Sequence, residues 1–152
     1  MKKVWIYQAD RFFTQPEHET AQAKLDSFIK EWTAHGSQLA GKAEIINNLF
    51  IVLTVDEEIA QVTGCSIDKS VRILKELEEE LNISLFNRTL ISYRDSENNI
   101  QLVSRDVFEA LCKEGEVNAD TIVFNNLVQT EEELKSNWEV PMKSSWHATV
   151  FR

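Results

Sequence analysis

The chain is poor in cysteine, glycine and proline, and it has no long apolar run. It has two cysteines, four glycines and two prolines in 152 residues. The apolar run at residues 4–7 is soon broken by Gln8, Asp10 and Arg11, so the sequence predicts neither a signal peptide nor a membrane span. We therefore expect a cytoplasmic protein in which the two cysteines stay reduced.

Basic charge is scarce as well: 16 lysines and arginines stand against 25 aspartates and glutamates, which gives a formal net charge of −9. Such a surface repels phosphate backbones and anionic lipids, which argues against nucleic-acid and membrane partners. The three histidines and two cysteines show no C-x-x-C or H-x-x-x-H spacing. We therefore predict no metal site and no cofactor.

The N-terminal quarter predicts a strand followed by a helix. Residues 4–7 are β-branched or aromatic and are expected to form a central strand. Thr14 and Glu17 make a T-x-x-E capping box for a helix over residues 15–33. The apolar face of that helix is predicted to pack on the sheet through Leu25, Phe28, Ile29 and Trp32.

The rest of the pattern alternates hairpins and helices. The pair Asn47-Asn48 tolerates positive φ and predicts a hairpin of residues 40–46 and 49–55. The other predicted elements are, in order, a helix with Ser66 as N-cap, a hairpin of residues 89–94 and 100–103, a helix from Ser104 to Gly115, a turn at Asn125-Asn126 between residues 122–124 and 127–128, and an edge strand at residues 146–151. We therefore expect one α+β domain, residues 1–152, with a mainly antiparallel sheet, two longer helices on one face and a small C-terminal helix–hairpin region.

Two ATPase signatures occur side by side. Residues 36–42 read G-S-Q-L-A-G-K, and the apolar run after them ends in Asp56-Glu57. A phosphate loop requires a helix after its lysine and a Ser or Thr directly after it to hold Mg²⁺. Here Ala43 comes directly after Lys42, and a strand is predicted in place of the helix. An ATPase is therefore disfavoured and is kept only as an alternative.

Cys65 is the strongest candidate for a catalytic residue. It directly precedes Ser66, where the positive end of the helix dipole favours a thiolate, and Lys69 lies in the first turn. A thiol nucleophile also needs a base, for which the candidates are His35 and His147. The alternative is that Cys65 is a small, buried and inert sulfur.

Two further regions are candidates for ligand binding. The same helix start offers Ser66, Asp68, Lys69 and Ser70 to a small polar or anionic ligand, with Arg88 or Arg94 as additional donors. The alternative there is a capped and solvated helix end. Near the C-terminus, Trp138 and Trp146 flank Pro141, and we expect these two tryptophans to line a groove for a peptide.

Five segments carry a resemblance to known proteins: V-W-I-Y-Q-A-D-R (4–11), W-T-A-H-G (32–36), G-C-S-I-D-K-S (64–70), V-F-N-N-L-V (123–128) and S-W-H-A (145–148). They resemble a family of short uncharacterised bacterial proteins, some of which are labelled ABC transporter ATPase. The chain has no L-S-G-G-Q-like signature, and the resemblance implies no established activity. Separately, residues 108–123 are similar to GYF-type peptide-binding modules.

The sequence leaves the reaction, if there is one, open. The first hypothesis is a small binding or interaction protein, with an unknown small polar ligand or a peptide as partner. The second is a thiol-dependent enzyme with Cys65 as nucleophile. The third is the ATPase of the family label.

Overall fold

The computed structural model describes residues 1–34 and 36–151. These residues form two compact units: unit 1 comprises Met1–Phe86 and Gln129–Glu131, and unit 2 comprises Asn87–Val128 and the residues from Glu132 onwards. Helices and antiparallel sheets occur together, which confirms the α+β class. That residues 1–152 make a single domain stays a prediction.

Nine strands and five α-helices occur among the described residues. Up to residue 86 they are β1 (Lys2–Gln8), α1 (Gln15–Glu31), β2 (Thr33–Ala34), β3 (Ser37–Gln38), β4 (Gly41–Ile46), β5 (Phe50–Asp56) and α2 (Gly64–Leu81). After it come β6 (Leu90–Arg94), β7 (Ile100–Ser104), α3 (Arg105–Glu114), β8 (Ile122–Phe124), α4 (Glu131–Asn137), β9 (Glu139–Pro141) and α5 (His147–Val150).

The main sheet of unit 1 is antiparallel and has the order β1-β5-β4. The expectation that residues 4–7 form the central strand is wrong. The centre is β5, because its successive residues Phe50, Ile51, Val52 and Leu53 are all buried and so fill both faces. The hairpin between β4 and β5 is confirmed, and its turn residues Asn47 and Asn48 have φ of 57° and 51°.

Helix α1 begins as predicted, with Thr14 and Glu17 in a reciprocal capping box, and ends at Glu31. Leu25 and Trp32 are buried, but Phe28 and Ile29 are only half-buried, so the four-residue apolar face is a core element only in part. The helix packs against β4. A Cβ on Gly41 would come within 3.0 Å of Trp32 Cε3, so a glycine is needed where the indole approaches the strand.

The segment that resembles a phosphate loop folds as strands. Residues 36–42 run through β3 into β4, where Lys42 lies opposite Thr54 and forms an ion pair with Glu44. After Lys42 the chain continues along β4 to Ile46 and into the hairpin turn, with no helix at this point. The glycine and lysine therefore serve the packing of Trp32 and the edge of the sheet.

Unit 2 contains a four-stranded antiparallel sheet with the order β7-β6-β8-β9, and α3 packs on β6 and β7. The predicted hairpin of β6 and β7 is confirmed, as are the cap of α3 at Ser104 and its end at Gly115, whose φ is 82°. The core of this unit is a cluster of Ile91, Tyr93, Phe108, Val117, Val123, Val140, Met142 and Phe151.

In this half one prediction holds in part and one is wrong. A turn follows β8, where Val128 N–H donates to the Asn125 carbonyl at 3.4 Å, but residues 127–128 do not pair with β8, which pairs with β6 and β9. The predicted edge strand at residues 146–151 is the short helix α5. A helical turn brings the Phe151 ring to 4.9 Å from the Phe108 ring, and Phe151 N–H donates to the His147 carbonyl. Burial of Phe151 therefore decides the local conformation.

Candidate functional site

The start of α2 is built differently from the prediction. Thr63 is the N-cap, and Ser66 is the third helical residue. Thr63 Oγ1 accepts from Ser66 N–H at 3.2 Å, and Ser66 Oγ accepts from Thr63 N–H at 2.8 Å. The assignment of Ser66 as N-cap is therefore wrong: it plays the second part of a capping box that begins three residues earlier.

In this arrangement two of the four residues of α2 predicted to bind a ligand make hydrogen bonds within the start of the helix instead. Ser66 and Ser70 are both buried, and the Ser70 hydroxyl donates to the Ile67 carbonyl at 2.6 Å. Asp68 and Lys69 are exposed. Arg88 is exposed too and belongs to unit 2, whereas α2 belongs to unit 1. The serine hydroxyls are structural, and a ligand at this helix start stays a prediction.

Cys65 is exposed as the second residue of α2. The alternative that this sulfur is buried is therefore wrong, and its reactivity stays a prediction. Cys112 lies half-buried on α3 and packs against the core cluster of unit 2. Burial, with a smaller contribution from Glu109, raises the pKa of the Cys112 thiol.

We expect Cys65 to react with iodoacetamide faster than Cys112 near neutral pH. Cys65 is open to the reagent, whereas Cys112 is half-buried and its raised pKa leaves less thiolate. Mass spectrometry of native protein, quenched over time and compared with protein unfolded in urea, gives both rates. Equal native rates, or a faster Cys112, would contradict this assignment of the two environments.

Of the two candidate bases, His35 lies outside the described residues. His147 is 1% exposed, and its ring stacks on Trp146 at a centroid distance of 3.8 Å. Its Nδ1 is 2.7 Å from Ser145 Oγ, and burial lowers the pKa of His147 to about 4. The ring fills the interior of unit 2, while Cys65 belongs to unit 1. A catalytic role for His147 stays a prediction, and its burial does not favour one.

The tryptophans predicted to line a groove are largely packed inside unit 2. Trp138 is 6% exposed, lies edge-on to Phe124 at 5.4 Å, and donates from Nε1 to Asn126 Oδ1 at 2.9 Å. Trp146 is half-buried against the core cluster. Their bulk therefore supports the fold, and peptide binding between them stays a prediction.

Sheet edges are the feature that sequence reasoning missed. In unit 1, β1 is covered on its outer side, because Val4 N–H donates to the Gln129 carbonyl at 2.9 Å. On the opposite edge, the Gln22 amide donates to the Ala43 carbonyl of β4 at 3.1 Å. Charged side chains on β4 also discourage further pairing. Both edges of this sheet are therefore protected.

In unit 2 the two edges differ. Strand β9 has only three residues and ends in Pro141, which has no N–H to donate. Strand β7 has five residues, I-Q-L-V-S, with neither a charge nor a proline. Within residues 1–34 and 36–151, β7 pairs only with β6. It lacks each of the devices by which the other edges are protected.

The hairpin turn determines which β7 groups point outward. Asp95 N–H donates to the Asn99 carbonyl at 2.9 Å, which makes these two residues a hydrogen-bonded pair. Alternation along an antiparallel ladder then directs the backbone groups of Gln101 and Val103 toward β6, and those of Ile100 and Leu102 outward. The outward groups of these two residues have no partner in the described part of the chain.

The surroundings of this edge carry opposite charge at its two ends. Asp95 and Glu97 lie in the turn before β7, and hydrogen bonds from the Gln101 side chain and backbone amides lower the pKa of Asp95. Arg105 begins α3 at the other end, where Arg88 precedes β6. The Arg105 guanidinium lies 5.6 Å from the Phe151 ring centre. Arg94 reaches the turn as well, since it donates to the Asn98 carbonyl at 3.0 Å and pairs with Glu139. The edge is thus net acidic at the turn and largely basic at the helix.

The chain matches no family model, no curated protein and no solved structure. No helix among the described residues is both long and apolar enough to cross a membrane. No group of three or more His, Cys, Asp or Glu in that part of the chain is placed to hold a metal ion.

Proposed function

We propose that this chain is a small interaction protein that binds an extended polypeptide strand along the outer edge of β7. The observation that carries the proposal is the contrast among the four edges of the two larger sheets, of which β7 alone is uncharged, free of proline and uncovered within the described residues. An exposed edge offers a row of N–H and C=O groups to a new strand. Main-chain hydrogen bonds supply affinity, and flanking side chains supply specificity.

Side chains along β7 support the same binding mode. Ile100 and Leu102 lie on one face of the strand and are half-buried, so each keeps part of its apolar surface available to an added strand. Residues of a partner strand that point to this face contact them. The proposal therefore includes a preference for aliphatic residues at alternate positions of the bound segment.

Selection from a displayed library of extended peptides at high protein dilution tests this proposal. Enriched peptides should carry alternating aliphatic residues and should bind wild type and the surface variant Val107→Ala equally. They should lose binding to Leu102→Pro, because proline removes an outward N–H that β6 does not use. Peptides that bind a folded Leu102→Pro variant as tightly as wild type would place the binding surface elsewhere.

The second candidate function is a thiol-dependent enzyme, which the exposure of Cys65 favours. We also propose that the chain belongs to the short bacterial family, that it is cytoplasmic, and that a small polar ligand binds at the start of α2.

The ATPase is the weakest alternative, because Lys42 is ion-paired within a strand. Replacing Lys42 by alanine should leave the melting temperature in Mg-ATP unchanged; a saturable ATP-induced shift that disappears in this variant would restore the ATPase.

A further inference from the structure

We propose that the strand taken up by the β7 edge is β7 of a second copy of this chain, so that two copies form an antiparallel dimer with a continuous eight-stranded sheet. This inference rests on the proposed function, since it uses the same edge. Three features favour a second copy as the partner of this edge: the backbone register, the side-chain chemistry and the charge.

Register is the first ground. The outward residues Ile100, Leu102 and Ser104 are evenly spaced about Leu102. A two-fold axis at Leu102 therefore sets Leu102 opposite its own counterpart, and Ile100 opposite Ser104 of the second copy. Across the axis the two Leu102 residues exchange a reciprocal pair of N–H to C=O hydrogen bonds. The edge is thus self-complementary without any shift of the strand.

Side-chain chemistry is the second ground. The five residues of β7 carry no charge, so pairing of two copies sets no like charges opposite one another along the strand, despite the net charge of −9 per chain. Alternate aliphatic side chains are what the exposed face of Ile100 and Leu102 requires of a partner strand. In this register Leu102 of the second copy lies opposite Leu102 and diagonal to Ile100, while Ile100 faces Ser104 directly.

Charge at the ends of the strand is the third ground. An antiparallel arrangement brings the turn of one copy, with Asp95 and Glu97, against the α3 end of the other, with Arg88 and Arg105. Asp106 offsets part of the positive charge at that end, and Arg94, which donates to the Asn98 carbonyl, offsets part of the negative charge at the turn. Both contacts are attractive by symmetry, which favours the antiparallel pairing and makes the dimer sensitive to salt.

Sedimentation equilibrium of the full chain tests the dimer. Wild type and the control Leu127→Lys, at a 60% exposed leucine outside β7 and α3, should reach twice the chain mass as concentration rises. Leu102→Lys and Leu102→Glu should each weaken the dimer at least about tenfold, because the axis places two like charges opposite each other. An equimolar mixture of these two variants should recover dimerisation as a heterodimer, which also shows that both variants fold.

Three outcomes would overturn the inference. Wild type that stays monomeric at all concentrations would do so, as would a Leu102→Lys dimer of undiminished affinity or a charge-swapped mixture that gains nothing. If wild type is monomeric while selected peptides still bind at Leu102, only the inference fails and the proposed function stands. If neither a second copy nor any peptide uses the edge, both fail.

Discussion

Replacing Phe108 with alanine is expected to lower the free energy of unfolding by about 3–5 kcal/mol. The side chain is fully buried on α3. Its ring lies 4.9 Å from the ring of Phe151, 5.7 Å from that of Tyr93 and 5.9 Å from that of His147. Truncation removes these contacts together and leaves a cavity at the centre of the unit 2 core. Urea denaturation followed by near-ultraviolet circular dichroism measures the loss.

Val107→Ala is the matched control, since Val107 is the preceding residue of α3 and is 48% exposed. It should change the free energy of unfolding by less than about 0.5 kcal/mol, as is usual for surface positions. Similar losses in the two variants would mean that the inward face of α3 has been assigned wrongly.

The second large effect is a loss of stability on mild acidification. His147 has a pKa of about 4 when folded because it is buried, against an ordinary value of 6.5. The unfolded chain therefore takes up a proton on this histidine at a higher pH than the folded chain does. The contribution of this histidine to the free energy of unfolding is fully present above pH 6.5. It declines as the pH falls toward 4, by up to about 3 kcal/mol.

Substitution of His147 tests whether this residue causes the change of the free energy of unfolding with pH. His147→Gln should remove most of the pH dependence of the free energy of unfolding between about pH 6.5 and 4.5. The carboxylate of Glu17, which a hydrogen bond from Arg11 and the Thr14 amide hold at a pKa of about 2, loses its contribution only at lower pH. An unchanged slope in His147→Gln would show that other groups carry the effect.

Local signals predict much of the fold. The capping box of Thr14, the cap at Ser104 and the positive φ of Asn47 each depend on neighbours within a few residues, and the sequence predicts each of them correctly. Prediction fails where distant contacts decide. Residues 146–151 alternate like a strand, but burial of Phe151 on Phe108 requires a helical turn.

The candidate site is harder to predict from the sequence, because it too depends on contacts between distant residues. Ser66 and Thr63 are both good caps, and the sequence offers no means of choosing between them before the burial of α2 is known. The hairpin of β6 and β7 is predictable from its own residues. That β7 ends up at an uncovered edge, however, depends on the order of four strands and on what covers the other edges. An uncharged I-Q-L-V-S strand is the signal that the sequence offers.

Residue-resolved amide hydrogen exchange along β7 tests most directly whether this edge is the interaction surface. In dilute protein the inward amides of Gln101 and Val103 should exchange slowly, and the outward amides of Ile100 and Leu102 should exchange fast. The outward amides should become protected when the concentration is raised or a selected peptide is added. Outward amides as protected as the inward ones in dilute monomer, or unaltered by any partner, would contradict an open and functional β7 edge.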